Sequence, residues 1–475
     1  MPAGAGGQGM EGPVRTAGWR DLLGAGHLSV LILVCLGPWL HAADALLITT
    51  MMPAIVDDIG GATLVAWNFA IYEVGSIAAG AASGLVAARR GLRRPMAVAA
   101  AVFALGCAVA VVAPSMPVLL AGRLAQGVGG GGLVGLCYVA VVRLFPGPLM
   151  PRAMAAVSLT WGASAFVGPL AGGFFVTWAD WRTGFAFFGL QAAALALWIW
   201  FGLRSVPEAP AAAATRLPWR RLALLSLAIL GVAFAGIVAA VEWMALSLCL
   251  GLAALGLFAR LDGRAGPDRL WPRGALDPRG AAGAAVVMVL AINVATMGVA
   301  TYGPILLERI HGTAPLISGW IVAIVSIAWT ASAVLVAGAP ERYDSRIIAL
   351  GMAIVAVSVA LSVHAVPEGP VALVALGMAL EGLGYGMAWT FILRRGGRLI
   401  APEDADRFAA ALPTVARLGY ALGASFVGIL ANRAGFAAAT GPDEMAHVAR
   451  VIFAGSLPVA LLGLAAMLRF VTARG

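Results

Sequence analysis

The stretch Leu120-Ala-Gly-Arg-Leu-Ala-Gln-Gly-Val-Gly-Gly-Gly-Gly132 lies inside a run that is otherwise apolar or glycine from about Met116 to Val142, yet it contains Arg123 and Gln126. A guanidinium at the centre of a membrane helix costs at least roughly 2.5 to 3.5 kcal/mol, so it needs an acidic partner or a water-filled cavity. The other apolar runs supply three candidate acids, which are Asp44, Glu73 and Glu381. We therefore expect these charges to meet in a polar site within the membrane.

The composition is that of a membrane protein. Hydrophobic residues make up 61% of the 475 residues, charged residues make up 11%, and the mean hydropathy is +0.94. Apolar runs of about 20 residues recur along the chain, and this is the length at which a helix crosses a bilayer. We expect an all-α polytopic membrane protein whose surroundings are the lipid bilayer. The net charge of +9 is carried by arginines between the runs, so we expect no nucleic-acid partner.

Charges, glycine and proline divide the chain into fourteen apolar spans. They cover residues 27–52, 64–88, 95–114, 116–142, 153–177, 184–203, 221–241, 243–260, 281–306, 315–338, 346–364, 370–393, 408–432 and 448–470. With a cytoplasmic N-terminus, 25 arginines lie on the inner side and four on the outer side, while Arg123 and Arg417 lie inside the membrane. Cytoplasmic loops of membrane proteins are enriched in basic residues. The pattern therefore predicts a bacterial inner-membrane protein with both termini in the cytoplasm.

The first span also resembles a signal peptide. Arg15 and Arg20 precede it, and His41-Ala-Ala-Asp-Ala45 resembles a small-residue cleavage site. Because the apolar run resumes directly after Asp44, we favour an uncleaved first helix.

The segments between spans divide the chain into six spans, two spans and six spans. The predicted parts are a cytoplasmic N-terminal segment (1–26), an N-terminal six-helix bundle (27–203), cytoplasmic linkers flanking a transmembrane hairpin (204–280, with the hairpin at 221–260), a C-terminal six-helix bundle (281–470) and a cytoplasmic tail (471–475). A weak internal repeat supports this division, since Gly84–Arg94 and Ala337–Arg346 follow the second span of each half. Duplicated bundles of this kind surround a central transport path.

Five motifs occur in a characteristic order along these spans. They are Asp44 with Pro53 in the first span, Gly84, Arg89 and Gly91 in the loop after the second, Arg123-x-x-Gln126-Gly127-x-Gly129 in the fourth, Gly168-Pro169-Leu-Ala-Gly172-Gly173 in the fifth, and Arg417-Leu-Gly419 in the thirteenth. In this order the chain resembles the major facilitator superfamily, and in particular its fourteen-span drug:proton antiporter branch. The resemblance implies two six-helix bundles plus a two-helix insert, and a proton-driven efflux activity.

The loop after the second span departs from the family pattern. The acid of the loop motif is replaced by Ala88, whereas the arginines remain. In the family this acid is expected to act as a latch. It forms an ion pair across the inner face and so favours one of the two access states. We expect a weakened latch here, or one supplied by Glu341 or Asp344.

A set of residues in the loop motif and the fifth span is predicted to serve gating. Pro169 removes a helical hydrogen bond, and the neighbouring glycines allow another helix to come close. The predicted set is Gly84, Arg89, Gly91, Gly168, Pro169, Gly172 and Gly173. The alternative is ordinary packing of small residues. The glycines from Gly127 to Gly132 match a dinucleotide-binding pattern, but they lie inside a membrane span and are interpreted as a close-packing face.

Asp44, Glu73 and Arg123 are predicted to form one layer that handles protons. Asp44 lies roughly 13 Å below Pro53 at 1.5 Å per residue, and the other two lie at similar depths in their spans. Removal from water favours a neutral carboxyl group, whereas a neighbouring guanidinium favours the charged form. A change of access can therefore exchange a proton for a substrate, with Asp44 ranked first and Glu73 second. The alternative is a permanent ion pair that only holds helices together.

A second set is predicted to line a substrate cavity. Glu381, Tyr385 and Trp389 recur every four residues and share one helix face. The full set is His41, Asn68, Tyr72, Gln126, Asn293, Glu381, Tyr385, Trp389 and Arg417. Arg417 is expected to lie deeper toward the cytoplasm, and His41 is a candidate proton relay. Asp57 and Asp58 are interpreted as a solvated outer loop.

The prediction is a proton-coupled transporter that exports amphiphilic or cationic small molecules by alternating access. It is expected to act as a monomer, to use the proton gradient rather than a cofactor, and to have no metal site and no catalytic residue. The five scattered histidines argue against a membrane enzyme. Two alternatives stay open: a proton-coupled transporter of one specific metabolite, and a transport-inactive sensor or scaffold.

Overall fold

The computed structural model describes Arg20, Leu22 and residues 27–146, 149–202, 204, 218–238, 240–266 and 269–473. Most of the predicted N-terminal segment 1–26 and most of the linker 204–220 lie outside the described residues.

Fourteen α-helices of at least 17 residues make up the described part of the chain. They are α1 (His27–Ile59), α2 (Trp67–Arg90), α3 (Arg93–Val111), α4 (Met116–Leu144), α5 (Met150–Trp178), α6 (Trp181–Gly202), α7 (Trp219–Ala235), α8 (Val241–Gly263), α9 (Ala281–His311), α10 (Pro315–Val336), α11 (Asp344–Ala365), α12 (Val371–Leu399), α13 (Pro402–Arg433) and α14 (Pro442–Thr472). Thirteen are long and apolar enough to cross a membrane. The other, α7, has 17 residues, the lower limit for a span. The predicted all-α polytopic fold is confirmed.

The first helix is longer than the sequence predicted. It continues through Pro53 to Ile59, so Asp57 and Asp58 belong to its last turns. Asp57 pairs with Arg309 on α9, and Asp58 Oδ2 lies 2.5 Å from Arg182 Nη1 on α6. The predicted loop was wrong because both residues lie in the helix, but their carboxylates are about half exposed, at 51% and 46%, as the prediction of a solvated position requires.

The first six helices, α1 to α6, pack mainly with one another and form the amino-terminal set. The last six, α9 to α14, do the same and form the carboxyl-terminal set. In each set the second helix packs on the fourth and the first packs on the fifth. The sets meet where the second helix of each packs on the fifth helix of the other, which places α2 on α13 and α10 on α5. Each set therefore contributes the same two helices to the interface, as expected for a duplicated architecture.

The two-helix hairpin lies beside this interface. Helix α7 packs on both α2 and α13, and α8 packs on α7. Trp67 Nε1 donates to the carbonyl of Ala233 at 3.2 Å, and Asn432 Nδ2 donates to the carbonyl of Gly236 at 2.9 Å. The hairpin thus contacts one helix from each set.

The two sets are in close contact at the end that the arginine pattern assigns to the outside. A Cβ atom on Gly173 would lie 2.8 Å from Leu316 Cα, and one on Gly319 would lie 2.6 Å from the carbonyl oxygen of Pro169. Asn432 Nδ2 also donates to the carbonyl of Thr63 at 2.9 Å. Backbone contact of this kind closes the path between α5 and α10 at the outer end.

The internal repeat has a structural counterpart at the opposite end. Arg143 on α4 donates to the carbonyl of Ala87 at 3.2 Å, and Arg394 on α12 donates to the carbonyl of Ala339 at 3.0 Å. In both sets an arginine of the fourth helix therefore binds a carbonyl near the end of the second.

The two candidate replacements for the latch acid do not reach across the inner face. Asp344 is fully buried and pairs with Arg394 and Arg398, while Glu341 pairs with Arg398. All four residues belong to the carboxyl-terminal set. The expectation that Glu341 or Asp344 supplies the latch was therefore wrong, because arginines of α12 already bind both carboxylates.

Candidate functional site

The arginine of α4 forms a sealed ion pair with the acid of α1. Arg123 Nη1 donates to Asp44 Oδ2 at 2.6 Å, and both side chains have no exposed surface. Gln126 Oε1 accepts a hydrogen bond from the same nitrogen at 2.9 Å, and Gln126 Nε2 donates to Cys107 Sγ at 3.1 Å. The predicted partnership of Asp44 and Arg123 is present, and Gln126 belongs to this sealed pair rather than to a cavity.

The rest of the Arg123 guanidinium is bound less completely. Its Nε and Nη2 atoms are buried without a hydrogen-bond partner among the described residues. Its carbon lies 4.2 Å from the centre of the Tyr72 ring, so the ring face provides a cation–π contact. One carboxylate, the Gln126 amide oxygen and one aromatic ring therefore hold this charge.

Glycines of α4 allow the pair to form. A Cβ atom on Gly127 would lie 2.1 Å from the carbonyl oxygen of Tyr72, and one on Gly131 would lie 2.3 Å from that of Ser76. Without side chains at these positions α4 packs directly on the backbone of α2. The interpretation of the glycine run as a close-packing face is confirmed.

The acid of α2 has a different partner from the predicted one. Glu73 Oε2 lies 3.6 Å from Nη1 of Arg417, which belongs to α13 in the other set. The same nitrogen donates to Ser76 Oγ at 2.5 Å and to His41 Nε2 at 3.0 Å. The expectation that Arg417 lies deeper was wrong, since it reaches the level of His41 and Glu73. Asp44, Glu73 and Arg123, predicted to act together in one layer, therefore belong to two separate ion pairs. Asp44 pairs with Arg123, and Glu73 pairs with Arg417.

The bonding of His41 follows from its partners. A guanidinium only donates hydrogen bonds, so Nε2 of His41 accepts from Arg417 and the ring proton lies on Nδ1. Nδ1 lies 2.9 Å from the Tyr72 hydroxyl, which in turn donates to the carbonyl of His41 at 2.8 Å. His41 is therefore neutral in this arrangement. Polar contacts run without a break from Asp44 through Arg123, Tyr72 and His41 to Arg417.

The predicted cavity residues of α12 form a second group. The Tyr385 hydroxyl donates to Asn293 Oδ1 at 3.1 Å, and its ring stacks on Trp329 with centres 5.4 Å apart. Trp389 lies 6.5 Å from the same Trp329 ring. Glu381 is partly buried, and no hydrogen bond or ion pair to it occurs within the described ranges. An uncompensated acid therefore shares one helix face with an aromatic cluster.

Known proteins resemble this chain in both sequence and fold. The family model described as Major Facilitator Superfamily matches residues 34–263. A "Probable multidrug-efflux transporter" of Mycobacterium tuberculosis is 29% identical over 434 residues, which cover 88% of this chain and 90% of the relative. The solved D-xylose-proton symporter superposes with a TM-score of 0.62 at 16% identity, covering 92% of this chain and 97% of that one. A POT family transporter in complex with a thioalcohol-conjugated peptide gives a TM-score of 0.65 at 14% identity, covering 94% and 96%.

These findings together support a transporter of the major facilitator superfamily. With its many long apolar helices, the chain is a multi-pass membrane protein.

The glycines of α5 lie in close contacts with neighbouring helices. A Cβ atom on Gly168 would lie 2.7 Å from the carbonyl oxygen of Ala43, and one on Gly172 would lie 2.1 Å from Thr50 Oγ1. The Thr50 hydroxyl also donates to the carbonyl of Pro169 at 2.9 Å. Gly168 and Gly172 thus face α1, whereas Gly173 faces α10.

The loop-motif residues Gly84, Arg89 and Gly91 differ in their structural surroundings. A Cβ atom on Gly84 would meet no atom within 4 Å, so close packing in this conformation does not require glycine there. Gly91 follows the last residue of α2 with φ 71°, a backbone conformation that favours glycine. Arg89 is exposed.

Asn68, which the sequence predicts to line a substrate cavity, is enclosed by the protein in this conformation. It is fully buried, and its Nδ2 donates to the carbonyl of Val65 at 3.3 Å, within its own helix start. Tyr72 is also sealed, because His41 and Arg123 cover its hydroxyl and its ring. Sequence reasoning assigned both to a cavity because depth along a helix does not indicate which face carries a residue.

Sequence reasoning missed two aromatic residues of the site. Trp329 on α10 stacks on Tyr385, and Tyr420 on α13 interacts electrostatically with both Glu73 and Glu381. Tyr420 lies three residues after Arg417, and this spacing could have indicated a shared helix face. Trp329 stands in an apolar run whose only nearby polar residues are Ser326, Thr330 and Ser332, so no charged neighbour distinguishes it from packing residues.

Proposed function

We propose that this transporter exports amphiphilic or cationic small molecules in exchange for protons across the bacterial inner membrane, with both termini in the cytoplasm. The observation that carries the proposal is the contact of Arg417 with His41 and Glu73, which joins the two helix sets within the membrane. The description of the mycobacterial relative as a probable multidrug-efflux transporter supports export.

The coupling step follows from the bonding of His41. A protonated imidazole has two donors and no acceptor, so it cannot accept the hydrogen bond of Arg417 and repels its charge. Protonation of Glu73 would likewise remove the charge that faces Arg417. The rings of Tyr72 and Trp161 also contact His41, and the positive charge of Arg123 acts on it electrostatically. Proton binding and the contact of Arg417 on α13 with His41 and Glu73 therefore exclude each other. Uptake of a proton is thereby coupled to separation of the two helix sets.

The ranking of acids changes under this proposal. Asp44 was ranked before Glu73, but Asp44 is sealed with Arg123 in a matched pair. Glu73 shares its cation with His41 and Ser76 across the interface. We assign proton exchange to Glu73 and His41, and we assign to Asp44 the role of holding Arg123 in place.

The substrate group would be the acid and aromatic cluster of α12. A carboxylate beside aromatic faces attracts organic cations through charge and cation–π contacts. Glu381 supplies the charge, and Trp329, Tyr385 and Trp389 supply the faces. Aromatic residues at a cavity also suit the apolar part of an amphiphile.

The test is proton-driven movement of ethidium in inverted membrane vesicles. We expect the wild type to accumulate the dye when a proton gradient is applied, and Glu381→Gln to lose this activity. Glu242→Gln, an exposed acid at the start of α8, is the matched control and should transport normally. Absence of dye movement by the wild type would argue for a single specific metabolite instead.

Proton coupling is tested separately with His41→Gln, which keeps a neutral acceptor for Arg417 but cannot bind a proton. We expect this variant to equilibrate substrate between two compartments but to lose accumulation driven by a proton gradient. Full accumulation by the variant would remove His41 from the mechanism.

A further inference from the structure

A basic cleft opens where three helix ends meet on the predicted cytoplasmic face. The end of α2, the start of α7 and the end of α8 surround about 880 Å³ of space. The walls include Arg89, Arg90 and Arg220 on one side, and Leu85, Trp219 and Leu261 as apolar parts. The cleft therefore combines positive charge with apolar surface.

Three of the cleft arginines carry charge that no acid of the described residues balances. Arg89, Arg90 and Arg220 are exposed, and none of them has a carboxylate partner in the part of the chain that the structure describes. Arg221 differs, because its Nη1 donates to Asp262 Oδ1 at 2.6 Å. Asp262 also accepts from the backbone amides of Leu270 and Trp271, each at 2.9 Å. The fourth arginine thus holds the hairpin in place, while the other three remain available.

The start of α7 adds to the positive field. Helix α7 begins at Trp219, directly in the wall of the cleft. The first amide groups of a helix lack partners within the helix, and its N-terminal end attracts anions. Three arginines and a helix N-terminus therefore converge on one space.

We propose that this cleft binds the phosphate headgroup of an anionic membrane lipid. The loop motif has Ala88 where an acid would otherwise balance the arginines, and a lipid phosphate supplies the missing negative charge. Basic pockets between helices on the cytoplasmic side bind anionic headgroups. The bound lipid connects α2 of the amino-terminal set with the α7–α8 hairpin.

The apolar wall distinguishes a lipid from a free anion. Trp219 is 63% exposed, and tryptophan is enriched at membrane interfaces, where its ring lies beside headgroups. Leu85 and Leu261 add further apolar surface to the cleft. A free phosphate would use only the arginines, whereas a lipid also covers these side chains.

The experiment measures retention of phosphatidylglycerol by the purified full chain in native mass spectrometry, with phosphatidylcholine as the reference lipid. We expect the wild type to prefer phosphatidylglycerol. Each arginine near an anionic lipid strengthens binding about fivefold, so the triple variant R89Q/R90Q/R220Q should bind roughly a hundredfold more weakly. The matched control R279Q/R346Q/R469Q removes three exposed arginines of the same predicted face and should keep the preference.

Thermal unfolding in lipid-free detergent checks that the variants fold. Equal midpoints there, with a phosphatidylglycerol-dependent rise in the wild type and the control only, support the proposal. It is overturned if the wild type shows no preference, or if both triple variants lose it equally. Displacement of the lipid by millimolar inorganic phosphate would identify a free-anion site and also overturns it.

Discussion

Removal of the carboxylate from Asp44 is the most direct test of the buried charge site. In Asp44→Asn the guanidinium of Arg123 keeps only the Gln126 carbonyl at 2.9 Å and the Tyr72 ring, while its Nε and Nη2 atoms are already without partners. Removing one partner of a fully buried ion pair costs 3–5 kcal/mol, and we expect about 4 kcal/mol of lost unfolding free energy here. The assay is reversible unfolding in mixed detergent micelles, followed by circular dichroism.

Removal of the arginine instead of the acid should reduce the unfolding free energy by less. Arg123→Gln leaves a carboxyl group that can bind a proton and become neutral, whereas a guanidinium remains charged at all accessible pH values. The double variant removes both charges, so its loss should be smaller than the sum of the single losses by roughly 3 kcal/mol. This difference is the coupling energy between Asp44 and Arg123. It isolates the interaction of the two side chains from the separate effect of replacing each one.

An exposed ion pair of the same protein provides the control. Glu368 Oε1 lies 3.0 Å from Arg450 Nε, and each side chain is 50% exposed. Exposed pairs contribute about 0–1 kcal/mol, so Glu368→Gln should change stability little. If Asp44→Asn costs no more than Glu368→Gln, water reaches Arg123 and the sealed pair is refuted.

Three further predictions follow from close contacts. Gly127→Ala places a Cβ atom 2.1 Å from the Tyr72 carbonyl oxygen and should cost at least about 2 kcal/mol in the same unfolding assay, whereas Gly84→Ala, with open space around its Cβ, should not destabilise the protein, because alanine favours a helix over glycine; an equal loss of stability would contradict the packing of α4 on α2. Gly319→Leu should separate α10 from α5 and speed external labelling of an introduced Ser318→Cys, since Ser318 is only 1% exposed at the closed outer end; unchanged labelling would place the outer closure elsewhere. Asp344→Asn should release Arg394 and Arg398 and speed amide hydrogen exchange over residues 338–346; exchange at the wild-type rate would show that these arginines do not order the segment.

The sequence predicted the Asp44 and Arg123 pair because the physical demand is strong. An arginine within a membrane span needs an acid, few acids occur in the apolar runs, and depth along the helices matched Asp44 to Arg123. The all-α fold was equally accessible, since span length and arginine placement do not depend on contacts between helices. Helix ends were less accessible, because Pro53 is accommodated inside α1 where flanking helices pack around it.

The pairing of Glu73 with Arg417 could not be predicted in the same way. The two residues lie on helices from different sets, and the orientation of a side chain around the helix axis depends on how those sets pack. Depth alone assigned Glu73 to Arg123, which has the same level in the membrane. The contact of α2 with α13 reversed that assignment, and it also moved Arg417 from a separate deeper position into the shared interface.

The charges in the membrane give a physical reason for exchange rather than symport. Asp44 is matched by Arg123, and Glu73 by Arg417, while His41 is neutral in this conformation and Glu381 has no cation beside it among the described residues. One negative charge is therefore left over. Under the proposed function, either a proton or a substrate cation can neutralise it, but both together would leave a positive charge in a low-dielectric site, which is costly. Proton and cation should therefore compete for the transporter. Ethidium uptake into inverted vesicles should then fall as the cytoplasmic-side pH falls in the wild type, and a pH-independent apparent affinity would refute the charge argument.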